Sequence, residues 1–165
     1  MISLLLLLLI IAFTGFYFGK IYLSIKRTGK RRDNERSRLL NAWQNMTHLQ
    51  PFLESAIVRY GLSASIPLDR INPYREKPSE SMNPEEMETY YSLLWKIAEE
   101  LQRATTEHPV LQQAQPLQEI LFHFKKASAA YESARQDYRL AAERYEQTFS
   151  YPLGRIFRRM LDKTK

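Results

Sequence analysis

The chain has 165 residues, which is room for one domain of ordinary size, and it carries a formal net charge of +6. It contains no cysteine, and this excludes a disulfide scaffold, a thiolate metal site and a lipoprotein anchor. Basic side chains are concentrated in residues 20–38 and 155–165, whereas residues 39–154 are mildly acidic. A nucleic-acid module usually has a basic face on its folded body. The charge distribution therefore predicts no nucleic-acid partner.

The N-terminal segment is strongly apolar. Residues 1–19 contain no charged side chain, and the apolar run continues to Leu23. About 20 such residues cross the roughly 30 Å hydrocarbon core of a bilayer. The alternative, a cleaved signal peptide, needs a basic residue before the apolar run and a small-residue cleavage site after it, and neither is present. We therefore predict an uncleaved transmembrane anchor over residues 1–25.

The charges beside this segment predict its orientation. Basic residues flank only its C-terminal end, in a juxtamembrane segment at residues 26–38. The positive-inside rule holds such an end in the cytoplasm. We therefore predict one membrane span with the N-terminus outside and the body in the cytoplasm. The juxtamembrane residues predicted to meet anionic lipid headgroups are Lys26, Arg27, Lys30, Arg31 and Arg32.

The body has helical periodicity and almost no strand pattern. A first helix is predicted from about Arg32 to Tyr60, with a kink or a new start near Gln50 because of Pro51, and a stop at Gly61. Residues 62–82 contain three prolines and predict an extended or mobile linker. A second helix is predicted to begin after Asn83, which has the sequence of a helix cap, and to end near residue 108.

A third helix is predicted from Pro116 to Phe149. Aromatic residues recur in it every seven positions, with alanines beside them, which is typical of helices packed with a left-handed supercoil. Arg135 lies on the same face, where it either stacks on a tyrosine or reaches a carboxylate. The fold class is predicted as all-α, an antiparallel bundle of three to four long helices over residues 39–152. The residues predicted to pack the bundle are Trp43, Pro51, Phe124, Tyr131, Arg135, Tyr138 and Tyr145.

The C-terminal tail, residues 153–165, has an apolar side and a basic side when drawn as a helix. It follows Pro152, and Gly154 stands near its start, so a break before it is expected. The tail could lie on a membrane, fill a groove in a protein partner, or complete the bundle. We predict the membrane surface. The tail residues assigned to that surface are Arg155, Ile156, Phe157, Arg158, Arg159 and Met160.

Several short motifs resemble the LemA family. They are "AW" at 42–43, "LQPFLESAIVRYG" at 49–61, "HPVL" at 108–111, "ARQDY" at 134–138, Tyr145 and "YP" at 151–152. The chain departs from the family pattern in a shorter interval between Trp43 and Pro51 and in the composition of the linker. The resemblance implies a membrane-anchored helical bundle in the inner membrane of a bacterium, with no assigned reaction. Some relatives are implicated in shaping internal membranes.

No catalytic or ligand-binding motif is found. The five glycines form no phosphate-binding loop, and the three histidines are not spaced as metal ligands. We therefore predict a non-enzymatic scaffold or adaptor with no cofactor and no small-molecule substrate. Its predicted partner is the membrane, with self-association left open. The alternative function is a module that recruits a protein partner, such as a membrane protease or an envelope-stress component, through the bundle or the tail.

Overall fold

The structure is a computed structural model, and the side chains of residues 2–4 are not described. The residues that it describes are 2–63, 65–66, 68–75, 77, 81–150 and 155. Every regular element within these ranges is helical, and none of the described residues forms a strand. The predicted all-α class is therefore confirmed.

Helix α1 spans Ile2–Thr47 as one continuous helix. The separate helix start predicted near Arg32 is wrong. No proline precedes Pro51, and a single glycine such as Gly29 costs a helix only about 1 kcal/mol relative to alanine. The apolar segment and the basic segment therefore belong to the same helix.

Helix α2 spans Gln50–Arg59, with Pro51 in its first turn. Proline is tolerated there because the first N–H groups of a helix have no partner within it. Gly61 follows the helix with a φ of 70°, a left-handed conformation in which glycine is favoured. The predicted start near Gln50 and stop at Gly61 are both confirmed. The ring of Pro51 is exposed, however, so its predicted place in the bundle core is wrong.

The segment at residues 62–82 differs from the extended linker predicted for it. Its described part contains a 3-10 turn at Asp69–Ile71 and a short helix, α3, at Asn72–Arg75. Ile66, Ile71 and Met82 are buried in the hydrophobic core. Burial of these isolated apolar side chains holds the segment against the helices, although its composition is typical of a loop.

The remaining helices are α4 at Pro84–Glu107, α5 at Pro109–Gln112 and α6 at Gln115–Thr148. Asn83 caps α4, since its Oδ1 accepts a hydrogen bond from the Glu86 backbone N–H at 2.8 Å. Glu86 Oε2 accepts one in return from the Asn83 backbone N–H at 3.0 Å. This reciprocal pair is a capping box. The predicted helix start at Asn83 and the long third helix are confirmed.

The chain divides into two compact units. Unit 1 comprises Met1–Arg38 with Arg135–Lys165, and unit 2 comprises Leu39–Ala134. Unit 2 has a core of side chains from α1, α2, α4 and α6, whose most buried members include Trp43, Met46, Ile57, Leu101, Leu117 and Phe124. In unit 1, the buried apolar side chains among the described residues are Ile25, Ala141 and Phe149. Residues 39–152, predicted as one bundle, are thus shared between two units, because α6 contributes to both.

Candidate membrane-binding surface

Residues 5–17, in the apolar part of α1, are exposed on every side of the helix. Residues 5–11 are seven large aliphatic side chains in succession, each more than half exposed, and Phe13 and Phe16 are 72% and 73% exposed. Successive helical residues point about 100° apart, so seven in a row cover the whole circumference. By length and composition this helix could cross a membrane, and none of its most apolar stretch is buried within the described protein.

The basic residues that follow fall into two groups. Lys26, Arg27, Lys30 and Arg31 are exposed, as a lipid-facing role requires. Arg32 is different, because its side chain is only 32% exposed. The sequence grouped Arg32 with the lipid-facing cations, whereas in the structure it packs against α6.

Arg32 has two partners in unit 1. Its Nε and Nη2 atoms donate hydrogen bonds to Asp33 Oδ1 at 3.0 and 2.8 Å, and its Cζ lies 4.2 Å from the centroid of the Tyr145 ring. The hydrogen bond to Asp33 raises the pKa of the Arg32 guanidinium. Partial burial opposes this rise, and Tyr145 and Tyr138 add to it. Arg32 is therefore a permanent cation placed over an aromatic face.

Gly29 lies one turn before Arg32 and allows the same tyrosine to approach closely. A Cβ atom at Gly29 would lie 3.3 Å from Tyr145 Cε2. Tyr145 in turn packs edge-to-face against Phe149, with 4.9 Å between the ring centroids. The end of α6 therefore packs against α1 in the turns that follow the apolar segment.

The heptad tyrosines of α6 lie on its covered face. Within unit 1, Ala141 is buried and Tyr138 and Tyr145 are half-buried. Arg135 is half-buried as well. Arg32, more than one hundred residues away in sequence, lies over the heptad tyrosine Tyr145, a contact that periodicity within α6 could not identify.

Unit 2 contains an aromatic cluster centred on Trp43. Its ring is fully buried, with centroids 5.5 Å from Tyr90 and 5.3 Å from Tyr131. The indole Nε1 has no hydrogen-bond partner among the described residues. Tyr74 stacks on Tyr90 with 5.2 Å between centroids. Trp43, Phe124 and Tyr131 are buried, so the heptad and the tryptophan supply core residues of this unit.

A chain of polar contacts leads from the same cluster to the surface, buried at Tyr90 and exposed at Arg75. The Tyr90 hydroxyl donates to Gln50 Oε1, Gln50 Nε2 donates to Glu54 Oε1 at 2.6 Å, and Arg75 pairs with Glu54. Burial raises the pKa of Tyr90 to about 12, and the nearby charge of Arg75 opposes this rise. Tyr90 therefore remains a neutral hydrogen-bond donor at physiological pH.

The described residues of unit 2 also line concave features. A cavity of about 180 Å³ lies beside the tryptophan, with Tyr74, Arg75 and Lys77 in its lining. A groove of about 390 Å³ lies between α4 and α6, with Trp95, Ala98 and Phe124 among its lining residues. Among the described residues, no three His, Asp or Glu side chains are grouped so that they could hold a metal ion.

The tail predicted to bind membrane is outside the described residues, apart from Arg155, which is helical and exposed. This applies to Ile156, Phe157, Arg158, Arg159 and Met160. Comparison with known proteins found no matching family model, no similar curated protein and no similar solved structure. The resemblance to the LemA family therefore stays a prediction.

Proposed function

We propose that this chain is a non-enzymatic, membrane-anchored helical scaffold whose body lies in the cytoplasm at the surface of a bacterial inner membrane. The observation that carries the proposal is the exposure of residues 5–11 on all sides of α1. Removing a large apolar side chain from water stabilises by about 1.5–3 kcal/mol. A helix that is apolar all round needs a partner on every side, and lipid supplies one.

The continuity of α1 supports an uncleaved anchor. A signal peptidase would have to cut within a helix that runs without a break from Ile2 to Thr47. The same helix carries Trp43 into the core of unit 2. The contacts of that core do not require the apolar segment to be removed. No cleavage signal marks the end of the segment, and this supports its retention.

The exposed cations support the orientation and the lipid class. Lys26, Arg27, Lys30 and Arg31 follow the apolar segment by one or two turns. Each cation near an anionic leaflet contributes about 1 kcal/mol of attraction. A cytoplasmic body, with anionic headgroups as the partner of these residues, agrees with both the positive-inside rule and their exposure.

An antiparallel bundle of the LemA type is part of the same proposal. The motifs that resemble this family coincide with structural positions: Trp43 fills the core of unit 2, Pro51 begins α2, and Pro109 begins α5. These are packing and helix-start positions, so they support a fold and give no reaction.

The test is a reporter fused after Lys165 in bacterial cells, combined with alkaline extraction of membranes. We expect the full chain to resist extraction and the reporter to be active in the cytoplasm. Changing Lys26, Arg27, Lys30 and Arg31 to Gln should weaken the orientation bias. The matched control removes the same charge from exposed positions of unit 2, at Arg59, Arg70, Lys96 and Lys126. A reporter active only outside the cytoplasm would contradict the proposal.

Recruitment of a protein partner is a second candidate function, favoured by the groove between α4 and α6. Its lining combines the Trp95 and Phe124 rings with Arg103 at its side. A photo-crosslinker at Arg103, compared with one at exposed Arg70, tests this function in intact cells. A discrete adduct at Arg103 alone would favour it, and equal labelling at both positions would count against it.

A further inference from the structure

The C-terminal end of α6 packs against a defined position along α1. Gly29 accepts the Tyr145 ring at close range, and Arg32 covers its face. Ile25 and Phe149 are both buried, with 5% of each side chain exposed. These positions begin two residues beyond Leu23, the last residue of the apolar run.

The contacts also give the direction of α6 in unit 1. Along the continuous helices α1 and α6, Trp43 packs against Tyr131 within unit 2, and Gly29 lies against Tyr145 within unit 1. Moving along α1 from Trp43 to Gly29, toward the apolar segment, corresponds to moving along α6 from Tyr131 to Tyr145. Helix α6 therefore runs toward the apolar segment as it ends.

Helix geometry converts these positions into distances from a bilayer. Gly29 is six residues beyond Leu23, about 9 Å at a rise of 1.5 Å per residue. Ser150 is five residues beyond Tyr145, about 7 to 8 Å back toward the apolar segment, since the N–H groups of Phe149 and Ser150 continue the turn with bonds to Glu146 and Gln147. The headgroup layer on each side of a bilayer is about 5–7 Å thick. Ser150 therefore falls within that layer when Leu23 marks the edge of the hydrocarbon.

We propose that the C-terminal end of α6 is a second attachment point on the same bilayer that α1 crosses, with anionic lipid headgroups as its ligand. The inference rests on the proposed membrane anchor and adds the point at which the chain returns to the bilayer.

The charge at this end suits the ligand. Arg144 and Arg155 are exposed, and the turns of α1 around Gly29 add the exposed cations Lys26, Arg27 and Lys30. An anionic leaflet attracts such residues within about a Debye length, 8 Å at physiological salt. Attachment of both α1 and the end of α6 to the bilayer would hold the two helices antiparallel without a large protein core.

The experiment uses the full chain in vesicles that contain anionic lipid, and the absence of cysteine makes single labelling possible. Three exposed serines of unit 1 are changed one at a time: Ser24→Cys, Ser37→Cys and Ser150→Cys. Each variant carries a fluorophore, and quenching by nitroxide-labelled headgroups in the same vesicles is measured. Ser24 is adjacent to the apolar run, whereas Ser37 lies about 21 Å beyond it.

We expect the label at position 150 to be quenched about as strongly as the label at 24, and much more than the label at 37. Quenching at 150 no stronger than at 37, with 24 quenched, would overturn the second attachment and leave the anchor intact. Absence of quenching at 24 would instead contradict the proposed function. Quenching at 150 that occurs only when the nitroxide is in a second population of vesicles would also overturn the inference, because it would show contact in trans.

A second pair of variants tests whether α1 sets the position of the α6 end. Gly29→Leu places a side chain where the Tyr145 ring lies, whereas Gly19→Leu meets no atom within 4 Å of its Cβ. We expect the first change, in the Ser150→Cys background, to lower quenching at 150, and the second to leave it unchanged. An unchanged signal for both variants would overturn the role of the Gly29 contact.

Discussion

The two units use apolar residues in opposite ways. Unit 2 removes Trp43, Ile57, Leu101 and Phe124 from solvent almost completely. Unit 1 has more than half of the surface of residues 5–11 exposed, and its buried apolar residues, among those described, are Ile25, Ala141 and Phe149. The described part of unit 2 encloses its apolar side chains in a core, whereas residues 5–11 of unit 1 form an exposed apolar surface of the kind that marks contact with a membrane or another protein. Apolar content alone therefore does not separate a core from an exposed apolar surface, but burial does.

The largest expected effect is at the centre of unit 2. Trp43→Ala removes a fully buried ring and its contacts with Tyr90 and Tyr131, so we expect a loss of about 3–5 kcal/mol in the free energy of unfolding. The matched change in unit 1 is Phe16→Ala, which removes a ring that is 73% exposed in the protein. We expect that variant to unfold like the parent chain. Chemical denaturation of the full chain in detergent, followed by circular dichroism, measures both. Equal losses would break the distinction between the units.

The next effect concerns the Tyr90–Gln50 hydrogen bond, the buried end of the polar chain in unit 2. Tyr90→Phe leaves Gln50 Oε1 without its buried donor, and such a loss costs about 1–3 kcal/mol. Tyr60→Phe, at a half-buried ring outside this chain, is the control, and we expect a change below about 0.5 kcal/mol for it. The same denaturation experiment compares them. If both variants lost the same stability, the hydrogen bond would not contribute as described.

These elements differ in how far the sequence could predict them. The helix ends at Pro51, Gly61 and Asn83 were predictable, because each depends on a local backbone preference of one residue. The burial of Ile66 and Ile71 was not, because isolated apolar residues in a proline-rich stretch have no periodicity to reveal a buried face.

The candidate membrane-binding surface could also be predicted only in part. The cations that follow the apolar segment were assigned to it from composition and the positive-inside rule. The position of Arg32 does not, because the residue is identical in type to its neighbours and is distinguished only by a tyrosine more than one hundred residues later. Contacts of that kind depend on how two helices are packed, which single-residue preferences do not encode.

The position of Arg32 gives a smaller prediction in unit 1. Arg32→Gln removes the cation from the Tyr145 ring, a contact worth about 0.5–1 kcal/mol, whereas Arg31→Gln changes an exposed cation of equal charge. We expect the first variant to raise amide hydrogen exchange at residues 145–149 about two- to fivefold. The second should leave it unchanged. Equal effects would mean that general electrostatics, and not the ring contact, holds the end of α6.

The smallest expected effect is a pH dependence at the edge of unit 2, where stability comes from charge and not from burial. Glu86 accepts hydrogen bonds from Lys77 at 2.5 Å and from the Asn83 backbone, and these lower the pKa of its carboxyl group, the Lys77 bond being the larger cause. A carboxyl whose pKa is lower in the folded state stabilises that state fully above its unfolded value, about 4.3, and loses this contribution as the pH falls through the folded value. Protection of the first turn of α4 against hydrogen exchange should therefore decrease in that acidic range. Glu86→Gln should abolish the decrease, whereas Glu85→Gln should retain it because Glu85 is exposed in the same turn. A decrease that persists in Glu86→Gln would assign the pH dependence to another carboxyl group. No such dependence is expected at residues 5–11, which carry no titratable side chain, so the acid response separates the first turn of α4 from the apolar segment by a criterion independent of burial.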